Sequence, residues 1–297
     1  MNSSDRLSVI VCSIDPDKCR DCTESLRRTA GIDLEIRVID NRGDSRPIAD
    51  IYNEGAELTS APYLLFIHED VIISSPGWGW KLLRKLSEPS TGVIGFAGST
   101  LRVPVPGGWD QGGPEYMRAS LRHVEDGVCH EVSAGAVDGE TFRQVITVDG
   151  LAMAVRRDVW AEFPFDQHVL DGFHCYDIDF SVEIAAAGFK NYVMYGVDVM
   201  HLSAGSYTEP WMRATLDMFY TKWSRIPVMS VDPIDDKAVN DAKCRCLYGF
   251  IFKAIRSAIS DNAVRRLMQL YRDLPSSSRH YYRHLLTLKW QQLRYRD

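Results

Sequence analysis

The sequence predicts an α/β fold, a mostly parallel sheet flanked by helices, continued by a helical C-terminal extension. Three observations predict it. Short β-branched apolar runs alternate with helix-compatible stretches, polar residues gather directly after each run, and beyond Pro233 the pattern turns mostly helical. With 297 residues, 45% of them hydrophobic and 25% charged, the chain can bury a large core.

Leu7 to Ile14 is an apolar run rich in Val and Ile and reads as a strand, and the helix-compatible stretch Lys18 to Thr29 follows it. A second strand, Leu34 to Ile39, stops at the turn-forming Asp40-Asn41-Arg42-Gly43. A helix from Pro47 to Leu58 leads to a third strand, Tyr63 to Ile67. Strands separated by helices pair in parallel, with the helices covering both faces. Val103 to Pro114 holds too much Gly and Pro for a core element; it reads as a loop, either a lid that lays Trp109 over a ligand or a mobile surface excursion. Strands are expected again near Phe142 to Val148, Leu151 to Val155 and Tyr192 to Met200, with a helix starting near Tyr176 and ending before Gly188. The later change of pattern divides the chain into residues 1–232 and an extension, 233–297, whose basic and aromatic clusters are Arg279 to His284 and Lys289 to Arg296.

Charge and composition exclude several classes. A net charge of −6 argues against a nucleic-acid partner, which calls for a basic face. No run of about eighteen apolar residues occurs, and Met1-Asn2-Ser3-Ser4-Asp5-Arg6 lacks the plan of a signal peptide, so a cytoplasmic location is expected. Seven cysteines, one of them inside the first strand, do not read as a disulfide framework. Cys19-x-x-Cys22 with Cys244-x-Cys246 lacks the usual spacing of structural zinc.

Open α/β sheets bind ligands beyond the carboxyl ends of their strands, here Ser13 to Asp15, Asp40 to Gly43 and His68-Glu69-Asp70. A carboxylate and an imidazole at strand ends can share one divalent ion, which draws attention to Asp70 and to His201 after a later strand. Alone, Asp177 and Asp179 read as helix-start residues that complement the helix dipole, and His201 as a satisfied histidine. Trp211, Phe219 and Trp223 read first as core aromatics, with sugar stacking as the second reading.

The order of motifs carries more. Asn53-Glu54-Gly55-Ala56, then Tyr63-Leu64-Leu65-Phe66-Ile67-His68-Glu69-Asp70, Asp149-Gly150-Leu151-Ala152-Met153, Phe165-Asp166, Tyr176-Asp177-Ile178-Asp179, Ala187-Gly188-Phe189 and His201 follow one another over residues 7 to 223. This order resembles the GT-A superfamily of glycosyltransferases, in particular its family-2-like group. The resemblance implies a Rossmann-like GT-A domain and a Mn²⁺ or Mg²⁺ cofactor. It also implies inverting transfer from a nucleoside-diphosphate sugar, a UDP-sugar foremost, to a carbohydrate, lipid-linked or protein acceptor, as in surface-polysaccharide or glycoconjugate assembly.

Residue by residue, Asp70 matches the second aspartate of the metal-binding Asp-x-Asp, and His201 the histidine that completes the metal site. Asp40 resembles the acidic contact to base or ribose, with Ser13, Asp15, Asn53, His68 and Glu69 as further donor contacts. Asp177 matches the catalytic base. Trp109, Asp149, Gly150, Tyr176 and Asp179 are placed at the sugars. The sequence departs from the pattern at His68, where the family has its first aspartate, and at Tyr176, where it has glutamate. A helical tail of basic and aromatic character suits a solvated face or peripheral contact with the inner face of a membrane.

Two other classes remain open. One is a catalytically silent sugar- or nucleotide-binding module, which the two departures favour. A sugar nucleotidyltransferase is the other; it calls for a Gly-rich basic loop after the first strand, whereas Ser13-Ile14-Asp15-Pro16-Asp17-Lys18 is acidic and free of glycine.

Overall fold

The computed structural model describes residues 6–43, 45–203, 205, 207–257, 259–275 and 281–294. Residues 1–5 and, within the basic aromatic clusters, Arg279, His280, Tyr295 and Arg296 lie outside them. The N-terminal part alternates as expected: β1 (Arg6–Ser13), α1 (Pro16–Thr29), β2 (Asp33–Asp40), α2 (Ile48–Glu57) and β3 (Tyr63–His68). Then come β4 (Val71–Ile73), α3 (Trp78–Leu86), β5 (Thr91–Gly95), β6 (Ala97–Ser99), β7 (Leu101–Arg102), and the hairpin β8 (Met117–Glu125) with β9 (Val128–Ala134). β10 (Phe142–Val145), β11 (Thr147–Val148), β12 (Ala152–Arg156), α4 (Arg157–Glu162), α5 (Tyr176–Ala186), β13 (Lys190–Met194) and β14 (Val199–His201) follow. α6 (Glu209–Thr221), β15 (Met229–Ser230), α7 (Asp236–Arg256), α8 (Asp261–Asp273) and α9 (Tyr281–Arg294) complete the chain.

A seven-stranded sheet in the order β10-β13-β5-β12-β3-β1-β2 forms the centre. β1 pairs in parallel with β2 and β3, and β13 with β5, while β12 and β10 run against their neighbours, so five of the seven strands share one direction. The continuous apolar run of β1 follows from burial on both faces: Leu7, Val9 and Val11 enter one core, Ile10 and Cys12 the other. Gly55 lets α2 lie directly on β1, because a Cβ there would strike Ile10. At the start of α1 the Asp15 carboxylate accepts from the backbone N–H groups of Asp17 (3.1 Å) and Lys18 (3.2 Å), and Pro16 opens the first turn.

Two expected strands are each divided. Phe142 to Val148 breaks into β10 on the central sheet and β11 on a second sheet, ordered β11-β6-β8-β14-β4 with β9 on β8. Tyr192 to Met200 breaks at Gly196, which has φ of 70°, so that β14 leaves the central sheet and runs antiparallel to β4 with His201 opposite Val71. That break carries His201 to the end of β3. A surface excursion at Val103 to Pro114 is also corrected. The segment is irregular, but Val103 and Val105 are buried in a third core with Leu247, Phe250, Ile251, Leu267 and Tyr271 of α7 and α8. The side chain of Gln111 supplies the hydrogen bonds a loop otherwise seeks from water, accepting from Val103 N–H (2.9 Å) and donating to the Val105 carbonyl (2.7 Å).

Candidate active site

The turn from β3 to β4 presents His68, Glu69 and Asp70, with the first and third on one side and Glu69 on the other. Glu69 closes the β1–α1 turn, accepting from the Ser13 hydroxyl (2.7 Å) and from the backbone N–H groups of Ile14 (3.1 Å) and Asp15 (3.0 Å). On the other side, Asp70 Oδ1 lies 3.2 Å from His201 Nε2, and the ligating atoms of His68, Asp70 and His201 all fall within 4.8 Å of one another. Burial alone would raise the buried Asp70 carboxyl, but the hydrogen bond and charge of His201 outweigh it and hold the group well below the usual carboxylate range. Burial and the neighbouring His201 push His68 down to about 4, so its imidazole is neutral.

Tyr176 decides which nitrogen of His68 carries the proton. Its hydroxyl donates to the Gly150 carbonyl (3.1 Å) and lies 2.6 Å from His68 Nε2. With its one proton used on Gly150, the hydroxyl accepts from Nε2–H, which leaves the Nδ1 lone pair of the neutral ring free. Gly150 makes room for this arrangement, since a Cβ there would run into the Tyr176 hydroxyl. Cys175, just before α5, adopts φ of 72°, a left-handed conformation costly for a side-chain-bearing residue, and from it Tyr176 and Asp177 enter the site.

Asp177 Oδ2 accepts from the Gly150 N–H (3.2 Å), and burial followed by repulsion from Asp149 pushes its carboxyl up to about 7. Burial also raises Asp149, whose Oδ1 accepts from Leu151 N–H (2.9 Å). His68, Asp70, Asp149, Asp177 and His201 line a single cleft of about 620 Å³. Trp109, Phe173, Tyr207 and Trp211 supply aromatic walls. The cleft therefore joins three side chains grouped so that they could hold a cation, a carboxyl with the basicity of a proton acceptor at neutral pH, and aromatic rings.

The family model described as Glycosyltransferase like family matches residues 8–224, most of the chain. The chain belongs to this glycosyltransferase-like family. No curated protein matches it in sequence. Among solved structures it is similar to GalNAc-T7, crystallised with UDP, GalNAc and Mn²⁺. The two share 12% identity at a TM-score of 0.53, over 90% of this chain and 54% of that one. The present chain thus spans about half the length of that relative, and the likeness establishes the GT-A fold. A second similar structure, A197 from STIV, has 13% identity and a TM-score of 0.41, over 67% of this chain and 86% of that one.

Within this glycosyltransferase fold the expected site residues separate into two groups. His68, Asp70, Trp109, Asp149, Gly150, Tyr176, Asp177 and His201 meet in the cleft. Ser13, Asp15, Asp40, Asn53, Glu69 and Asp179 are not among its lining residues. Ser13, Asp15 and Glu69 are bound to one another or to α1 as described. Asp40 is exposed and gripped by Arg42, whose Nε donates to Oδ1 at 2.9 Å, and that guanidinium holds its carboxyl down at about 2. Asn53 is buried, donating to the Phe165 carbonyl (2.8 Å) and accepting from Trp160 Nε1 and Phe165 N–H (3.1 Å each). It ties α2 to α4 and to the segment after it. Asp179 pairs with Lys222 Nζ (2.7 Å) and accepts from Trp223 Nε1 (3.2 Å), a staple between α5 and the end of α6 rather than a sugar contact.

The zinc alternative is closed off by packing: Cys19 and Cys22 lie in one core and Cys244 in another. Among the described residues, His68, Asp70 and His201 are the group of three or more that could hold a metal. Of the three late aromatics, Phe219 and Trp223 are core residues, while Trp211 lines the cleft. Sequence reasoning missed Asp110, Phe173 and Tyr207, which also line it. They sit in irregular stretches where periodicity says nothing; the one available signal was an aromatic or acidic residue beside an already suspected one, Asp110 after Trp109.

Proposed function

We propose that this protein is a metal-dependent glycosyltransferase that moves a sugar from a nucleoside-diphosphate sugar, a UDP-sugar foremost, to an acceptor hydroxyl with inversion. The observation that carries this reading is the meeting, in one cleft, of the His68–Asp70–His201 cluster with an Asp177 carboxyl pushed up to about 7. Two imidazoles and one carboxylate form a mixed nitrogen and oxygen donor set, which suits Mn²⁺ better than the all-oxygen shell that Mg²⁺ prefers. The freed Nδ1 of His68 would make it a third ligand where the family pattern has an aspartate. The UDP and Mn²⁺ named for the similar GalNAc-T7 structure support the donor and metal.

A divalent ion held there would supply neutralisation of the diphosphate as it leaves. Asp177 takes the proton of the acceptor hydroxyl as its oxygen attacks the anomeric carbon, and burial, with Asp149 beside it, keeps it basic enough to do so near neutral pH. Tyr176 holds His68 in one tautomer, and Trp109 and Trp211 offer faces to the sugars.

Calorimetric titration of UDP with Mn²⁺, with Mg²⁺ and with a chelator tests the reading. Tighter binding with metal, abolished by Asp70→Ala, is expected, together with turnover of at least one UDP-sugar. Equal affinity with metal and with chelator removes the metal site. Metal-dependent binding without turnover of any donor tried assigns the protein to the silent binding class.

A further inference from the structure

The C-terminal helices carry charge opposite in sign to the rest of the chain. Residues 233–297 hold 13 Lys and Arg against 6 Asp, a net of +7, which leaves −13 on residues 1–232 within the total of −6. α9 concentrates this asymmetry: it contains Arg283, Lys289 and Arg294 and no acidic residue.

Its orientation is set by the face it buries. Leu288 is fully buried in the third core with Leu285 packed against it, and the His284 ring stacks on Tyr248 at 3.9 Å. At about 100° per residue, Tyr282, Leu286 and Trp290 then form one stripe on roughly the opposite side of the helix. All three are exposed, at 73%, 70% and 53%. Lys289 falls on one flank of the stripe and Arg283 and Arg294 on the other, all exposed, with the Arg294 guanidinium 5.1 Å from the Trp290 ring. An apolar stripe carrying Tyr and Trp with cations on both flanks is the pattern of a helix lying in the plane of a lipid interface.

We infer that α9 docks this protein on an anionic lipid surface, with Leu286 and Trp290 entering the acyl boundary and Arg283, Lys289 and Arg294 on the lipid phosphates. Charge selects this occupant. Symmetric pairing of two copies through α9 would set like-charged faces against each other, whereas an anionic leaflet complements all three cations. Among the described residues no helix is long and apolar enough to cross a membrane, which agrees with a segment lying on the surface.

The test sediments the 297-residue chain with vesicles of phosphatidylcholine alone or mixed with phosphatidylglycerol, across a salt series. Binding to the mixed vesicles only, weakening with salt, is expected, with a roughly tenfold or greater loss in the double variant Leu286→Ser, Trp290→Ser. Both side chains are exposed, so its melting temperature should not change. Quenching of tryptophan fluorescence by brominated lipid, present in the parent and much reduced in Trp290→Phe, reads insertion without disturbing the stripe. Equal binding to both vesicle types, no binding, or full binding by the double variant overturns the proposal. A concentration-dependent dimer that the double variant loses assigns the face to a second copy of the chain and overturns it equally. UDP affinity serves as an independent readout of the cleft.

Discussion

Burial beside Asp149 pushes the Asp177 carboxyl to about 7, so the folded protein holds a proton there at a pH where the unfolded chain, with a value near 3.8, has released it. Stability from this group is fully present below the unfolded value and is lost as pH rises through about 7. Asp177→Asn keeps the shape without the charge. The variant should therefore melt above the parent at pH 8, by about 1–2 kcal/mol after allowance for solvent screening, and the two curves should converge toward pH 4. The same change should lower transfer by ~10²–10⁴-fold, while the parent's kcat/KM climbs with pH and levels above about 7. Melting curves and rates over one pH series check both, and near-normal turnover in the variant would exclude Asp177 as the base. A second prediction concerns Tyr176→Phe, which removes the hydroxyl 2.6 Å from His68 Nε2. Loss of the tautomer constraint should weaken Mn²⁺ binding by about 10–100-fold, read directly by the electron paramagnetic resonance of the bound ion. An unchanged affinity would leave Tyr176 a packing residue.

At the scale of elements, α5 explains why Asp177 and Asp179 part company. Two positions on a helix are about 200° apart, so one carboxylate can face the cleft only if the other faces away. The one facing away is 1% exposed and answered by Lys222, which also lies 3.5 Å from Asp166. Lys222→Met should thus strand a buried carboxylate and cost about 3–5 kcal/mol, or raise the pKa of Asp179 until it takes a proton. Metal and UDP binding should survive wherever the variant is folded, which chemical denaturation combined with calorimetry would show. This opposition was legible in the spacing itself; family order hid it by assigning both residues to the site. At the β3–β4 turn the sequence put His68, Glu69 and Asp70 together at the donor, whereas the structure parts them: Glu69 turns to Ser13 and the backbone of the β1–α1 turn, and His68 and Asp70 stay in the cleft.

At the scale of the whole molecule, the second sheet and the third core shape the cleft. The Gly- and Pro-rich segment is held by Gln111, by Arg102 donating to the Gly108 carbonyl (3.2 Å) and by Gly112 N–H on Cys246 Sγ of α7 (3.1 Å). Hydrogen exchange should accordingly find Val103, Val105 and Gly112 protected without any ligand, with the change on adding UDP and Mn²⁺ confined to Gly108, Trp109 and Asp110 at the cleft wall. A gain spread over the entire segment would favour a lid that closes as a unit.

Sequence by itself determined the alternation of β1, β2 and β3 with α1 and α2, the strand ends that carry His68 and Asp70, and the order of motifs that belongs to a GT-A domain, since all of these rest on short-range periodicity or linear spacing. Tertiary structure alone decided that β14 leaves the central sheet at Gly196 to bring His201 onto Asp70, and that Tyr176 reaches His68 across 108 positions. It also decided that Asn53 and Asp179 are taken up by Phe165 with Trp160 and by Lys222. The physical reason is that a polar side chain's role is set by which partners reach it first, and those partners come from distant segments that only packing brings within hydrogen-bonding range.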